Sequence, residues 1–386
     1  MLSVKNKMSE IRFNRNEWAG AFGDIGTDFP LIVAMILAAG LDSASVLIMF
    51  GVMQVVSGFF YRMPMPIQPL KVMAVIVITQ KIEPQVLYGG GLAIGVVMLV
   101  LTVTKLIKWL AKVIPKSVIR GIQFGLGIKL AILALGKYVP ADGAQGYWLA
   151  AIVFFLVAFL MNNKKYPAAL MAIVIGIAYA FIFKISGHQI INSFGFNLPK
   201  IHVPLWPDIL TGFILLSIPQ IPLSLGNSIL ATNQLSSDYF PKRKDITVNK
   251  ISFTYSVINL INPFFGGIPT CHGSGGLAGH YTFGGRTGGS VIIYGSLYLI
   301  LGLFFSSGFG QVMQIFPLPV LGVILLFEGL ALMLLIRDVS YNKADLSIAL
   351  IVALIAGGLS YGFVIGLMVG TLFYYLHKKG FGGITK

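Results

Sequence analysis

The sequence predicts an all-α integral membrane protein: fourteen transmembrane spans in a seven-plus-seven inverted repeat, with half-helices at spans three and ten. Three observations carry that expectation. Of the 386 residues, 56% are hydrophobic and only 11% charged, where a soluble domain carries about a quarter charged residues. Apolar stretches able to enter a bilayer recur along the whole chain. A short proline-containing motif also recurs once, at corresponding places in the two halves.

In chain order the first seven spans fall near 18–40, 44–61, 66–81, 86–109, 117–137, 147–163 and 166–185. The second seven fall near 208–231, 248–266, 271–285, 288–309, 317–336, 344–359 and 361–377. The residues before Trp18 are polar and basic and no cleavage signature follows, so the first span reads as a helix and not a signal peptide. The net charge is +15. With the N-terminus inside, 22 of the 28 Lys and Arg residues lie on the inner side, among them Lys242-Arg243-Lys244. Lys81, Lys137, Lys184 and Lys200 lie outside, and Lys71 and Lys129 fall within spans. This is the positive-inside pattern. The basic charge therefore sets topology and argues against a nucleic-acid partner. It places both termini in the cytoplasm, with the plasma membrane as the default location.

The repeat is legible in two places. Phe59-Phe60-Tyr61-Arg62-Met63-Pro64 matches Phe264-Phe265-Gly266-Gly267-Ile268-Pro269 at an offset of 205, and Phe29-Pro30-Leu31 matches Ile221-Pro222-Leu223 at 192. The difference fits a longer loop at 236–249. An odd number of spans per repeat makes the halves enter the membrane in opposite directions. Paired interruptions at equivalent positions mark secondary transporters whose site lies where broken helices meet.

The first interruption reads Met63-Pro64-Met65-Pro66-Ile67-Gln68-Pro69-Leu70-Lys71. Its prolines force an extended backbone, and a helix is expected to begin at Gln68 or Pro69. Its free N–H groups and positive end would face a cavity, an anion site to which Lys71 adds a full charge. The second interruption runs from Ile268 through Pro269-Thr270-Cys271-His272 to Gly273-Ser274-Gly275-Gly276. Its glycines admit a ligand close to the backbone, and Ser274 offers a hydroxyl. In span one, Asp24, Thr27 and Asp28 share a helix face, as do Gln220, Ser224 and Asn227 in span eight. Membrane carboxylates call for named partners: Lys71 for Asp28, and either Arg286 or a titrating proton for Asp24. Glu328 and Lys129 lie outside the broken-helix region and read as structural charges or as an interface between moving parts. His272 and His280 lack the companions a zinc site needs, so no metal and no cofactor is expected. The lone Cys271 beside His272 makes a poor nucleophile without an orienting acid, and the chain is not expected to be an enzyme.

These stretches resemble the molybdate transporter family, the branch of the sulfate permease superfamily without a regulatory domain. The resemblance rests on Gly23-Asp24-Ile25-Gly26-Thr27, Pro64 to Lys71, Pro219-Gln220-Ile221-Pro222-Leu223, Asn227-Ser228, Pro269 to Ala278, and Phe283-Gly284-Gly285-Arg286-Thr287-Gly288. It covers nearly the whole chain. Two positions depart from the family pattern: Ser274 where alanine is usual, and Thr282 where arginine is. The resemblance implies repeats at 1–207 and 208–386. Within them, a core (18–110 and 208–309) would carry substrate past a gate (117–186 and 317–377), and a homodimer is implied. The substrate class is a tetrahedral oxyanion, molybdate first, with sulfate and tungstate close behind. Substrate would lie among Thr27, Gln68, Lys71, Gln220, Ser224, Asn227, Gly273, Ser274, Gly275 and Gly276, with Asp24, Asp28 and Arg286 in coupling or ion pairing. A nucleobase carrier of the same fold, an anion channel and a membrane enzyme are the competing readings.

Overall fold

The computed structural model describes residues 10–160, 166, 168–183, 194–306, 317–359 and 361–379. Lys184 and the far ends of the predicted sixth, seventh and eleventh spans lie outside the described residues. The chain is almost entirely helical. It opens with α1 (Arg15–Ala21), α2 (Ile25–Ala39) and α3 (Ser43–Tyr61), followed by a two-residue strand β1 (Gln68–Pro69) and the short α4 (Lys71–Gln80). Next come α5 (Pro84–Val103), α6 (Ile107–Val113), α7 (Lys116–Leu133), α8 (Gly143–Leu160) and α9 (Ala168–Phe183). The second half begins with α10 (Trp206–Tyr239) and continues through α11 (Val248–Ile261), β2 (Thr270–Cys271) and the short α12 (Ser274–Thr282). It ends with α13 (Gly289–Phe304), α14 (Leu318–Leu334), α15 (Lys343–Gly358) and α16 (Gly362–Lys378). A helix lies within each predicted segment. Among the described residues, six helices are long and apolar enough to cross a bilayer, or seven if α1 and α2, bent by 42°, count as one.

The ends of these helices follow from local chemistry. Asn14, Asp42, Thr247 and Asn342 each accept backbone N–H bonds at the starts of α1, α3, α11 and α15, as N-caps do. Gly40 turns left-handed (φ 66°) to end α2. α10 carries two widened π-helical stretches, Phe213–Ser217 and Ser224–Ala231. Pro219 and Pro222 sit between them and supply no N–H for the ladder, so the backbone widens around the gap.

Packing follows the repeat. α3 lies on α13 and α5 on α11, so the second span of each half packs on the fourth of the other. α7 lies against α14 and α15. Small residues allow the closest approach: a Cβ on Gly51 would stand 2.6 Å from the Gly295 carbonyl oxygen, the close backbone contact of membrane helices. The loop between the halves is pinned to the end of α3. Arg243 donates to the Tyr61 carbonyl (2.7 Å) and to both oxygens of Asp245, to which Lys250 also donates. The Arg243 bonds hold the Asp245 carboxyl well below the usual carboxylate range, against a partial burial that works the other way, and Lys250 adds to the lowering.

Glu17 is buried in α1 and ties the two ends of the chain's core together. One carboxylate oxygen accepts from the backbone N–H groups of Arg286 (3.0 Å) and Thr287 (2.9 Å), and the other from Ser290 (3.0 Å). Ser290 is a first-turn donor of α13 without a helical partner, and Arg286 and Thr287 lie in the loop that leads into it. Glu17→Ala, which strips three donors, two of them buried, of their acceptor, is expected to destabilise the protein by roughly 3 kcal/mol. Glu17→Gln, which keeps one acceptor oxygen, should cost about half as much. Thermal unfolding in detergent reads the difference.

Candidate functional site

Both predicted interruptions are real, and they meet. β1 and β2 pair antiparallel, Gln68 opposite Cys271 and Pro69 opposite Thr270, and the Leu70 N–H donates to the Pro269 carbonyl at 3.0 Å. Each strand runs directly into its half-helix, so antiparallel strands send α4 and α12 off in opposite directions with their N-termini together. The helix starts differ from expectation. α4 begins at Lys71, not at Gln68 or Pro69, because those two residues are held in the bridge. Lys71 and Ser274 are 203 residues apart, so the register set by the Pro64/Pro269 match slides by two residues before the helices begin.

An amide side chain from the preceding long helix holds each extended segment. Gln54 of α3 accepts from the Ile67 N–H (3.0 Å) and donates to the Ile67 carbonyl (2.8 Å). Asn259 of α11 does the same to Thr270, at 2.9 and 2.7 Å. His272 adds a third tie. Its Nδ1–H donates to the Pro66 carbonyl (3.1 Å), which leaves Nε2 to accept from Thr254 (2.8 Å). Sequence reasoning missed Gln54, Asn259 and Glu17, since a lone amide or acid in a helix carries no motif. The shared 205 offset of Gln54 and Asn259 was the available signal.

Around the bridge the structure gathers most of the predicted residues. Gln68 donates its amide to both oxygens of Asp24 at 2.8 Å. Asp24 therefore pairs with Gln68, not Arg286. The Arg286 guanidinium lies 3.6 Å from the Tyr281 ring centroid and donates to the Tyr281 and Gly285 carbonyls, with no carboxylate partner among the described residues. Its planar cation finds a π-face and two carbonyl oxygens close by in the chain, so its predicted part in coupling is corrected. Lys71 pairs with Glu328 of α14 at 2.6 Å and not with Asp28. Glu328 thus belongs to the broken-helix region, contrary to its sequence placement, because α14 crosses beside the start of α4. Asp28 is fully buried; no N–H or hydroxyl donor among the described residues reaches either of its carboxylate oxygens, and its side-chain partner is the Asp24 carboxyl one turn earlier. Thr27 lies half-buried beside it on α2.

The two half-helix ends are not equivalent. At α4 the side-chain oxygen of Gln220 accepts from the N–H groups of Val72 (2.9 Å) and Met73 (3.3 Å), so α10 caps the end expected to be open. Gln220 is steadied in turn by Ser224 (3.1 Å), whose hydroxyl meets that of Tyr255 (2.8 Å). Ser224 is therefore buried behind Gln220. At α12 no side chain caps the first turn. Ser274 donates to Asn227 at 2.8 Å. A Cβ on Gly273 would lie 1.3 Å from the Gln68 oxygen, and one on Gly276 2.2 Å from an Asp24 oxygen, whereas one on Gly275 would meet nothing within 4 Å. The open backbone is therefore at Gly275. Lys129 lies apart, 5.0 Å from the Phe363 ring centroid.

Half-helices meeting at a crossed bridge inside an apolar bundle define a multi-pass membrane transporter. A family model described as "Molybdate transporter of MFS superfamily" matches residues 16–130 and 212–332. The chain is 31% identical to Molybdate transporter 2 of Arabidopsis thaliana, with 98% of this chain and 89% of that protein covered. It is 32% identical to Molybdate transporter 1 of the same plant, over 97% and 89%. The chain belongs to the molybdate transporter family. Its fold is that of two solved anion-transporter structures. The transmembrane domain of the cyanobacterial bicarbonate transporter BicA matches with a TM-score of 0.66 at 18% identity, over 95% of this chain and 98% of that one. SLC26A9 matches with a TM-score of 0.69 at 13% identity, over 94% and 65%.

The glycines of α12 separate packing from ligand access. Gly276→Ala forces a methyl against Asp24 and the rigid Pro66 ring and is expected to cost roughly 1–3 kcal/mol, as overpacking does. Gly275→Ala should leave the melting temperature unchanged. Equal losses for both would mean that the α12 start is packed shut.

Proposed function

We propose that the chain is a secondary carrier that takes molybdate up across the plasma membrane in company with protons. The reading includes fourteen crossings in two inverted sevens and cytoplasmic termini. The core (18–110 and 208–309) moves as a unit past the gate (117–186 and 317–377), exposing the site to each side in turn. The observation that carries the reading is the antiparallel β1–β2 bridge, which brings two helix N-termini to one point. Each end carries about half a positive charge. Membership in the molybdate transporter family supports the choice of anion. Substrate is placed at the first turn of α12, against Gly275 and the Ser274 hydroxyl, with Gln68, Lys71, Gln220 and Asn227 around it.

A dianion entering an inside-negative cell is opposed by about 2.3 kcal/mol per charge per 100 mV, so a co-transported proton supplies driving force. Asp28 fits the carrier's role. A buried ionised carboxylate without a donor is costly, and a protonated one much less so. Asp24, one turn earlier, is the second acceptor. A nucleobase carrier would call for acidic side chains in α10, where Gln220 and Asn227 stand instead.

Isothermal titration of the purified protein with molybdate, with sulfate as competitor at physiological salt, tests the substrate. Molybdate heat that excess sulfate fails to displace is the expected outcome. Equal competition would make the chain a general oxyanion permease, and no heat with either would end the dianion reading. Separately, Asp24→Asn and Asp28→Asn should keep molybdate binding within about threefold but flatten the pH dependence of uptake into proteoliposomes. Unchanged pH dependence in both would remove them as proton sites.

A further inference from the structure

We infer that Glu328 is an internal competitor for the substrate anion. In the empty protein it holds Lys71 from across the boundary between core and gate, and the arriving oxyanion releases that hold by taking its place. The inference rests on the carrier reading above and concerns the same site.

Among the described residues no other ion pair joins the two regions that this contact joins. Lys71 is the first residue of α4, in the first half's core, and Glu328 projects from α14, in the second half's gate. Their 2.6 Å contact is a charge-assisted hydrogen bond, with side chains 22% and 12% exposed. Lys71 and Glu328 both act electrostatically on Asp24 and Asp28. Among the described residues this cluster therefore holds one ammonium among three carboxyl groups. An oxyanion brings more negative charge to that group and needs the one cation in it. Glu328 already gives Lys71 what an oxyanion would give: a negatively charged oxygen at hydrogen-bond distance.

The consequence is conformational. While Lys71 is bound to Glu328, α4 is tethered to α14, and sliding the core past the gate would separate two partly buried opposite charges at considerable cost. Once the anion partners Lys71, that cost falls away and the tether opens. A ligand shifts a two-state equilibrium only by its differential affinity for the two states, and competition for one ammonium provides the difference. An empty core moves slowly and a loaded one readily, so the tether slows the empty return step of uptake without blocking it.

The distinguishing prediction is one of sign. Glu328→Gln removes the competitor's charge while keeping its shape, so molybdate binding should tighten. If the tethered form holds nine-tenths of the wild-type population, affinity should rise about tenfold. A purely structural pair predicts the opposite, because Lys71 would lose the partner that positions it. Titration of the wild type and Glu328→Gln with molybdate is the test, alongside a ligand-free double-mutant cycle of Lys71→Met and Glu328→Gln on the melting temperature. Tighter binding together with a non-additive cycle supports the inference. An additive cycle overturns it whatever the ligand does. Weaker or unchanged binding by Glu328→Gln, with heat from the wild type, overturns it and leaves the carrier reading standing. No heat from either protein with molybdate or sulfate sinks the carrier reading and this inference together.

Discussion

Everything at the centre of this molecule depends on satisfying the backbone where the chain is not helical. Inside a bilayer an unpaired N–H or C=O costs several kcal/mol, so irregular backbone survives only where protein groups take up its hydrogen bonds. The extended segments before α4 and α12 solve this in three ways at once. They pair with each other across β1 and β2, they are gripped by Gln54 and Asn259, and His272 ties one of them to α11. Only because those bonds are made can two helices begin in mid-bundle and point their N-termini at one place. The polar contacts gathered there, Gln68 on Asp24 and Gln220 on α4, depend on that geometry.

The bridge also bears on how the two halves are related. A parallel repeat would send both half-helices the same way along the membrane normal. Antiparallel strands feeding directly into α4 and α12 send them opposite ways, and the exchanged packing of α3 on α13 and α5 on α11 has the same two-fold character. Inverted repeats of this sort put binding sites at the repeat interface, with half-helix N-termini turned towards anionic groups.

Much of this was legible in the sequence, for physical reasons that also explain the misses. Prolines and glycines act locally, so Pro64, Pro66 and Pro69 announced an extended segment and Gly273 to Gly276 a close backbone approach. Hydropathy located the helices because lipid leaves few alternatives. Side-chain partners were another matter. The expected Lys71–Asp28 pair stays within the first half, yet the partner of Lys71, Glu328, comes from a helix more than 250 residues away. Nothing in a single sequence reports which helices cross there. Arg286 is the opposite case: the Tyr281 ring beside it is local, at the preceding helix end, and nothing in the spacing favours that ring over Asp24. Gln220 lies beside the bridge, but its position as a cap on α4 required knowing that α10 widens into π-helical turns around Pro219 and Pro222.

A carrier must let its cargo go, and the composition of this site bears on that. Two helix ends together offer about one positive charge, spread over N–H groups that are fixed in place. One of those ends is already satisfied by Gln220, and the one full cation nearby is shared with Glu328. A cluster of arginines would bind a dianion far more strongly through bidentate contacts, and would release it correspondingly slowly. The chain instead meets its anion with partial charges and a contested lysine. The substrate proposed above would displace Glu328 from Lys71 but would meet open backbone at Gly275, so part of what it gains comes at the expense of a contact the empty protein already has. Glu328 is then left ready to reclaim its partner when the anion departs.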